Sequence, residues 1–220
     1  MRLVIFDVDG TLVDSQAEIT AAMTAAFAEA GLPPPPRAAV LGIVGLSLPQ
    51  AMARLCPDLD AHRRSAMVQA YKDSFNAPSD GAAEGSPLFP GARAMLDRLR
   101  EAPDTVLAVA TGKSRRGLDK MIERHGLGAH FASRQTADDH PSKPDPAMIA
   151  AVLRDTGLPA ARAVMVGDTS YDIDMGRAAG TATIAVNWGY HVAADLGADA
   201  VIDSFDALWP TLDRLLEARG

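Results

Sequence analysis

Leu3-Val4-Ile5-Phe6-Asp7-Val8-Asp9-Gly10-Thr11 decides how the rest of the chain is read: four apolar residues run into two acids at i and i+2 and then a glycine turn. The apolar run is short and carries β-branched and aromatic residues, so it reads as a buried strand. Side chains two apart on a strand point the same way. If the extension persists past Phe6, Asp7 and Asp9 both project from the strand's carboxyl end toward one point. Like charges so placed repel, and a divalent cation between them relieves the repulsion. Taken alone, the same residues also suit an ordinary strand-end turn with Asp9-Gly10 as its dipeptide. The remaining strand ends separate these two readings.

The chain has 220 residues, enough for one large domain or a core with a smaller insertion. Charged residues make up 22% and hydrophobic residues 48%, a globular balance. A net charge of -7 gives an overall field that repels nucleic acid and anionic membrane surfaces, so neither is expected as a partner. A small anionic substrate needs local cations, which directs attention to lysines beside glycine turns and to bound metal. Cys56 is the sole cysteine. It can form neither an intrachain disulfide nor a thiolate cluster, and the expected location is the cytoplasm. The stretch from Leu3 to Phe6 is too short for a signal-peptide core, and no run approaches the roughly 20 apolar residues of a membrane span.

From Ser15 to about Ala77 the pattern is helical, with Ile19, Met23 and Phe27 recurring every four positions. Gly31 and the run Pro33 to Pro36 stop the first helix. Further helices are expected over Leu48 to Leu55 and Ala61 to Phe75. The stretch Pro78 to Gly91 gathers Pro, Gly, Ser and Asp and reads as a linker. Beyond it, strands at Val106 to Ala110, Ala163 to Val166, Thr181 to Val186 and Ala200 to Ile202 alternate with helices. Those helices cover Arg93 to Arg100, Ser114 to Arg124, Tyr171 to Ala179 and Phe205 to Ala218. Such alternation predicts an α/β fold, a Rossmann-like and mostly parallel sheet with helices on both faces. The N-terminal strand belongs to it, giving a core domain of residues 1–14 and 84–220. A small all-helical cap, residues 15–83, is inserted after the first strand.

Ligands of such sheets bind outside the carboxyl ends of the strands. Thr111-Gly112-Lys113-Ser114 stands at one such end, offering a hydroxyl and a glycine amide to a phosphate oxygen, with Ser114 capping the next helix. In Pro141-Ser142-Lys143-Pro144-Asp145-Pro146, three prolines stiffen the backbone around one ammonium that can neutralise a phosphate and a carboxylate together. Gly167-Asp168-Thr169-Ser170-Tyr171-Asp172 places Asp168 at a third strand tip and Asp172 a helical turn later, both able to face Asp7. These oxygen ligands suit magnesium. Asp174 matches a helix dipole. In the helical segment, Gly42-Ile43-Val44-Gly45-Leu46-Ser47-Leu48 reads as a loop facing the site, which makes Gly45 and Ser47 substrate-binding candidates; a plain interhelix turn fits the same residues. His62-Arg63-Arg64, Arg115 and Arg116 read as solvated helical faces, and His125 and His140 as cap and loop residues.

With these motifs in order, the chain resembles the haloacid-dehalogenase-like hydrolase superfamily. Asp7 to Ser15 matches its first motif, Thr111 its second, Lys143 its third, and Gly167-Asp168 with Asp172 its fourth. The helical insertion resembles the cap of the phosphoglycolate phosphatase-like branch. The resemblance implies a magnesium-dependent phosphatase of a small phosphorylated metabolite, monomeric or homodimeric. Asp7 is then the nucleophile that becomes an aspartyl phosphate, and Asp9 the acid and base. Thr111 and the Gly112 amide bind phosphoryl oxygens, and Lys143 steadies nucleophile and phosphate. Asp7, the Asp9 backbone carbonyl and Asp168 hold Mg2+, with Asp172 in or next to that shell. Many relatives carry asparagine where Gly112 stands, so contacts from that side chain are missing here. A mutase of β-phosphoglucomutase type, a pyrophosphatase, and a non-enzymatic phosphate-binding module are alternatives on the same scaffold.

Overall fold

A computed structural model describes residues 1–76 and 85–219 of the chain. Six strands form one sheet: β1 (Arg2–Phe6), β2 (Thr105–Thr111), β3 (Ser133–Thr136), β4 (Ala163–Gly167), β5 (Ala182–Val186) and β6 (Ala200–Ile202). Their order is β3-β2-β1-β4-β5-β6, and every pairing is parallel. This is a doubly wound order, in which the chain builds outward from β1 in both directions and leaves a switch point between β1 and β4.

The opening run shows why β1 takes the middle. Val4 and Phe6 pack with Leu107, Val109, Val164 and Val166 on one face, while Leu3 and Ile5 pack with Ala108, Ala110 and Met165 on the other. Alternation of this kind, with apolar residues on both sides, is what a strand covered by helices on each face requires. All five β1 residues are buried. Each fully buried aliphatic or aromatic side chain stabilises the fold by about 1.5–3 kcal/mol before entropy is counted. The covering helices are α5 (Ala92–Glu101), α6 (Arg115–Arg124), α7 (Ala147–Thr156), α8 (Ser170–Ala178) and α9 (Leu208–Glu217), joined with the strands in the α/β architecture expected.

Between β1 and α5 the chain forms α1 (Gln16–Glu29), α2 (Arg37–Leu41), α3 (Leu48–Leu55) and α4 (Ala61–Asn76). Ile19, Met23 and Phe27 share an apolar cluster with Val40, Met52, Met67 and Tyr71, to which the sheet side adds Tyr171. The chain leaves and re-enters the sheet region side by side. Val13 bridges Leu88 in antiparallel fashion, and the Asp14 amide donates to the Pro87 carbonyl at 2.9 Å. Residues 77–84, which include half of the expected linker and the expected boundary at 83 and 84, lie outside the described residues.

Two elements depart from the sequence reading, which assigns nothing between Arg124 and Ala163. Strand β3 is Ser-Arg-Gln-Thr and has no apolar run; it forms because the edge of β2 offers parallel hydrogen-bond partners from Ala108 to Thr111. Helix α7 follows the proline-rich loop and buries Met148, Ile149 and Val152 against the Leu3 and Ile5 face. Its i, i+1, i+4 spacing is helical, but the three prolines before it obscure where it starts.

Candidate active site

Asp7 follows directly on β1, with its amide donating to the Val166 carbonyl of β4 at 3.0 Å, so it sits at the switch point. The next six residues wind into a tight turn in which the amides of Leu12 and Val13 both return to the Val8 carbonyl. Gly10 makes that turn at φ +86°, and a Cβ there would stand 2.3 Å from Asp168 Oδ2. Only glycine meets both demands.

The three acids at the strand ends converge. One carboxylate oxygen from each of Asp7, Asp168 and Asp172 lies within 4.8 Å of the others, and all three residues are buried. Lys143 is wholly buried among them, donating to Asp7 Oδ1 and to Asp172 Oδ1 at 2.6 Å each. Asp172 Oδ2 accepts from the amide and hydroxyl of Thr169 at 3.1 and 2.7 Å, a reciprocal cap on the start of α8. Asp168 accepts from the Thr11 hydroxyl at 2.9 Å and from the Tyr190 amide at 2.9 Å. Asp7 Oδ2 is buried with no hydrogen-bond partner. A buried carboxylate oxygen without a donor is costly, and here it belongs to a cluster of hard oxygen donors. That set fits a divalent cation of the magnesium type.

Burial is the largest influence on Asp7 and pushes its carboxyl up to about 7; the Lys143 ammonium pulls it down, and the Asp172 charge adds to the rise. Asp168 is likewise raised well above the ordinary carboxylate value, by burial first and by Asp172 and Asp7 next. Burial opposes the charge on Lys143, yet the adjacent Asp172 and Asp7 carboxylates outweigh it and hold the ammonium above its usual range.

Asp9 stands apart from the carboxylate cluster. Its two oxygens accept from Lys113 Nζ at 2.8 and 3.0 Å, and both side chains are about nine-tenths buried. The Lys113 ammonium also lies 4.8 Å from the centre of the Phe75 ring. Lys113 is the residue whose role the sequence reading leaves unassigned, although a lysine beside a glycine turn was the stated signal for a local cation.

A cavity of about 730 Å³, counting its open mouth, joins these groups to the helical segment; Asp7, Asp9, Thr111, Gly112 and Lys113 form its floor. Thr111 is buried, and its hydroxyl accepts from the Lys113 amide at 3.2 Å. Gly45 lines the cavity as expected. Ser47 does not belong to that lining: its amide donates to the Ser142 hydroxyl at 2.8 Å, tying the 42–48 loop to the Lys143 loop. The approach of the 42–48 loop is close. A Cβ on Gly112 would stand 2.4 Å from the Gly45 carbonyl oxygen.

The doubly wound sheet with a carboxylate and lysine centre at its switch point defines an α/β enzyme scaffold. The chain belongs to the haloacid dehalogenase-like hydrolases, whose family model matches residues 4–186, and it is an enzyme of that class. It is 35% identical over 221 residues to "Probable phosphatase IndB" of Dickeya dadantii, covering 98% of this chain and 95% of that one. A phosphoglycolate phosphatase of Mesorhizobium japonicum is 32% identical over 227 residues, covering 99% and 98%. Among solved structures, a haloacid dehalogenase-like hydrolase from Streptococcus pneumoniae superposes with a TM-score of 0.82 at 26% identity, over 96% of this chain and 98% of that one.

Proposed function

We propose that the chain is a magnesium-dependent phosphatase of small phosphorylated metabolites that works through an aspartyl phosphate. The observation that carries this reading is Asp7: one oxygen is fixed by Lys143, the other is buried and unpartnered, and the residue lines the cavity. One oxygen of the Asp7 carboxylate attacks phosphorus, and the bond from phosphorus to the ester oxygen breaks. Asp9 gives its proton to that departing oxygen. In the second half, Asp9 takes a proton from water as the water oxygen attacks the same phosphorus, which releases inorganic phosphate and restores Asp7. Splitting the displacement replaces one difficult step by two easier ones.

Lys143 opposes the rise that burial imposes on the Asp7 carboxyl and neutralises phosphoryl charge, while Asp172 and Thr169 fix the position of Lys143. The Thr111 hydroxyl and the Gly112 amide bind phosphoryl oxygens, a role supported by the presence of both residues in the cavity lining. Asp7 and Asp168, with the Asp9 carbonyl and with Asp172 adjacent, hold the Mg2+; when bound, the ion supplies positive charge that offsets the phosphoryl oxygens. Lys113 holds the Asp9 carboxylate toward the cavity.

We take residues 15–83 as a cap over a catalytic body of residues 1–14 and 84–220. The separate apolar cluster of α1 to α4 and its contribution to the cavity wall support that division. The buried thiol of Cys56 suits the reducing cytoplasm.

The test is phosphate release from a panel of phosphate monoesters, with Mg2+ and with chelator, for the native chain and for Asp7→Asn. Magnesium-dependent release that falls at least about 10³-fold in the variant, with an unchanged circular dichroism spectrum, is the expected outcome. Retained activity in Asp7→Asn removes the proposed nucleophile. Appearance of an isomerised sugar phosphate instead of inorganic phosphate replaces the phosphatase reading with a mutase.

A further inference from the structure

The cavity is chemically two-sided. Its floor is polar, but the wall that the helical segment lays over it is built from Ile19, Met23, Ile43, Val44, Tyr71 and Phe75. Tyr71 and Phe75 stack with ring centres 5.9 Å apart and planes 16° from parallel. Tyr71 is buried, and that burial first, with the Asp9 charge second, keeps its phenol protonated throughout the physiological range. No arginine lines this cavity among the described residues, and Lys72 is the charged side chain that the helical segment contributes to its lining.

Resting on the phosphatase reading, we infer that the esters this cavity selects carry an uncharged, carbon-rich body, aromatic or branched aliphatic, and that a carboxylate next to the phosphoester is disfavoured. The phosphoryl group occupies the polar floor, so the atoms immediately beyond the ester oxygen meet the side chains of the opposite wall. A carboxylate one carbon from that oxygen loses water against Val44, Met23 and the face of Phe75, and the Lys113 ammonium 4.8 Å from that ring is already taken up by both oxygens of Asp9. Moving a charge into such surroundings is expensive unless it is paired. An apolar body placed there buries surface against residues that are already dry, which is the usual make-up of a small-molecule pocket. Lys72, on α4, is the group through which a carboxylate would have to be received, so it provides the decisive control.

The experiment compares kcat/KM in magnesium buffer for 2-phenylethyl phosphate, ethyl phosphate and 2-phosphoglycolate. All three release aliphatic alkoxides of similar basicity, so the ratios report recognition more than leaving-group reactivity. The expected result is phenylethyl phosphate at least about tenfold above ethyl phosphate, the scale set by extra apolar contact in a pocket, with phosphoglycolate below both. Val44→Thr, of the same shape but carrying a hydroxyl, lowers the phenylethyl-to-ethyl ratio severalfold. Phosphoglycolate turned over faster than phenylethyl phosphate, with that advantage lost in Lys72→Met, overturns the inference and leaves the phosphatase reading standing. No phosphate from any ester overturns the phosphatase reading and this inference with it.

Discussion

Lys113 and Lys143 divide the opening acid pair between them. Asp7 shares its ammonium with Asp172 in a wholly buried cluster, whereas Asp9 has its own cation at the edge of the cavity. Two carboxylates two residues apart therefore sit in different electrostatic surroundings, which is what unequal roles in one reaction require. Replacing Lys113 with Met leaves Asp9 nine-tenths buried without its partner, at a cost of about 1–3 kcal/mol in unfolding free energy. Turnover falls by about 10- to 100-fold. Unchanged turnover in Lys113→Met shows that the pair is structural only. Asp7, Lys143 and Asp168 were legible in the sequence because each stands at a strand end or in a stiffened loop, where short-range pattern fixes position. The partner of Asp9 was not legible, because Lys113 and Lys143 lie at comparable glycine- or proline-marked ends and only the folded geometry assigns one to each acid. Ser47 falls outside the cavity lining for a related reason. Its backbone, and not its hydroxyl, is what the structure uses, and residue type carries no sign of that.

At the scale of elements, the 42–48 loop and the turn after β2 fit together because Gly112 has no side chain. The Gly45 carbonyl fills the space where a Cβ would stand. The asparagine that the family resemblance implies at this position could not occupy it here without displacing the loop. Gly112→Ala forces the loop back by several tenths of an ångström or more, since the obstacle is backbone and not the tip of a flexible chain. The variant is expected to lose about 1–3 kcal/mol of stability, as overpacked sites do, and to raise KM more than it lowers kcat. Unaltered melting and kinetics in Gly112→Ala mean that the loop does not seat as described. The strands that carry the site were readable from their apolar runs. Strand β3 was not, since a polar four-residue segment at the sheet edge owes its conformation to its neighbour and not to its own composition.

For the whole molecule, the acid cluster ties stability to pH and to metal. The Asp7 carboxyl is raised from 3.8 to about 7, and Asp168 is raised in the same direction, both chiefly by burial. The metal-free folded protein thus holds protons that the unfolded chain releases near pH 4. This contribution to stability is fully present below that pH and is lost as the pH rises through about 7. In chelator, the melting temperature is expected to decline between about pH 5 and pH 8. Added Mg2+ replaces the protons and restores more stability at the upper end of that range than at the lower. A melting temperature insensitive to both pH and magnesium means that these carboxylates do not carry the ion.

The central place of β1 also orders events during synthesis. Leu3 pairs with Val106 on one side and with Ala163 on the other, so β1 gains its first partner when the middle of the chain emerges and its second only with the last third. At ribosomal rates of about 5–20 residues per second, β1 waits roughly 8–32 seconds for β4. Over that interval α1 to α4 can already gather around their own apolar cluster, while β1 has β2 alone to pair with and its other edge stays open to aggregation. Asp7 thus leaves the ribosome ahead of Asp168 and becomes part of a site only when that residue arrives 161 residues later.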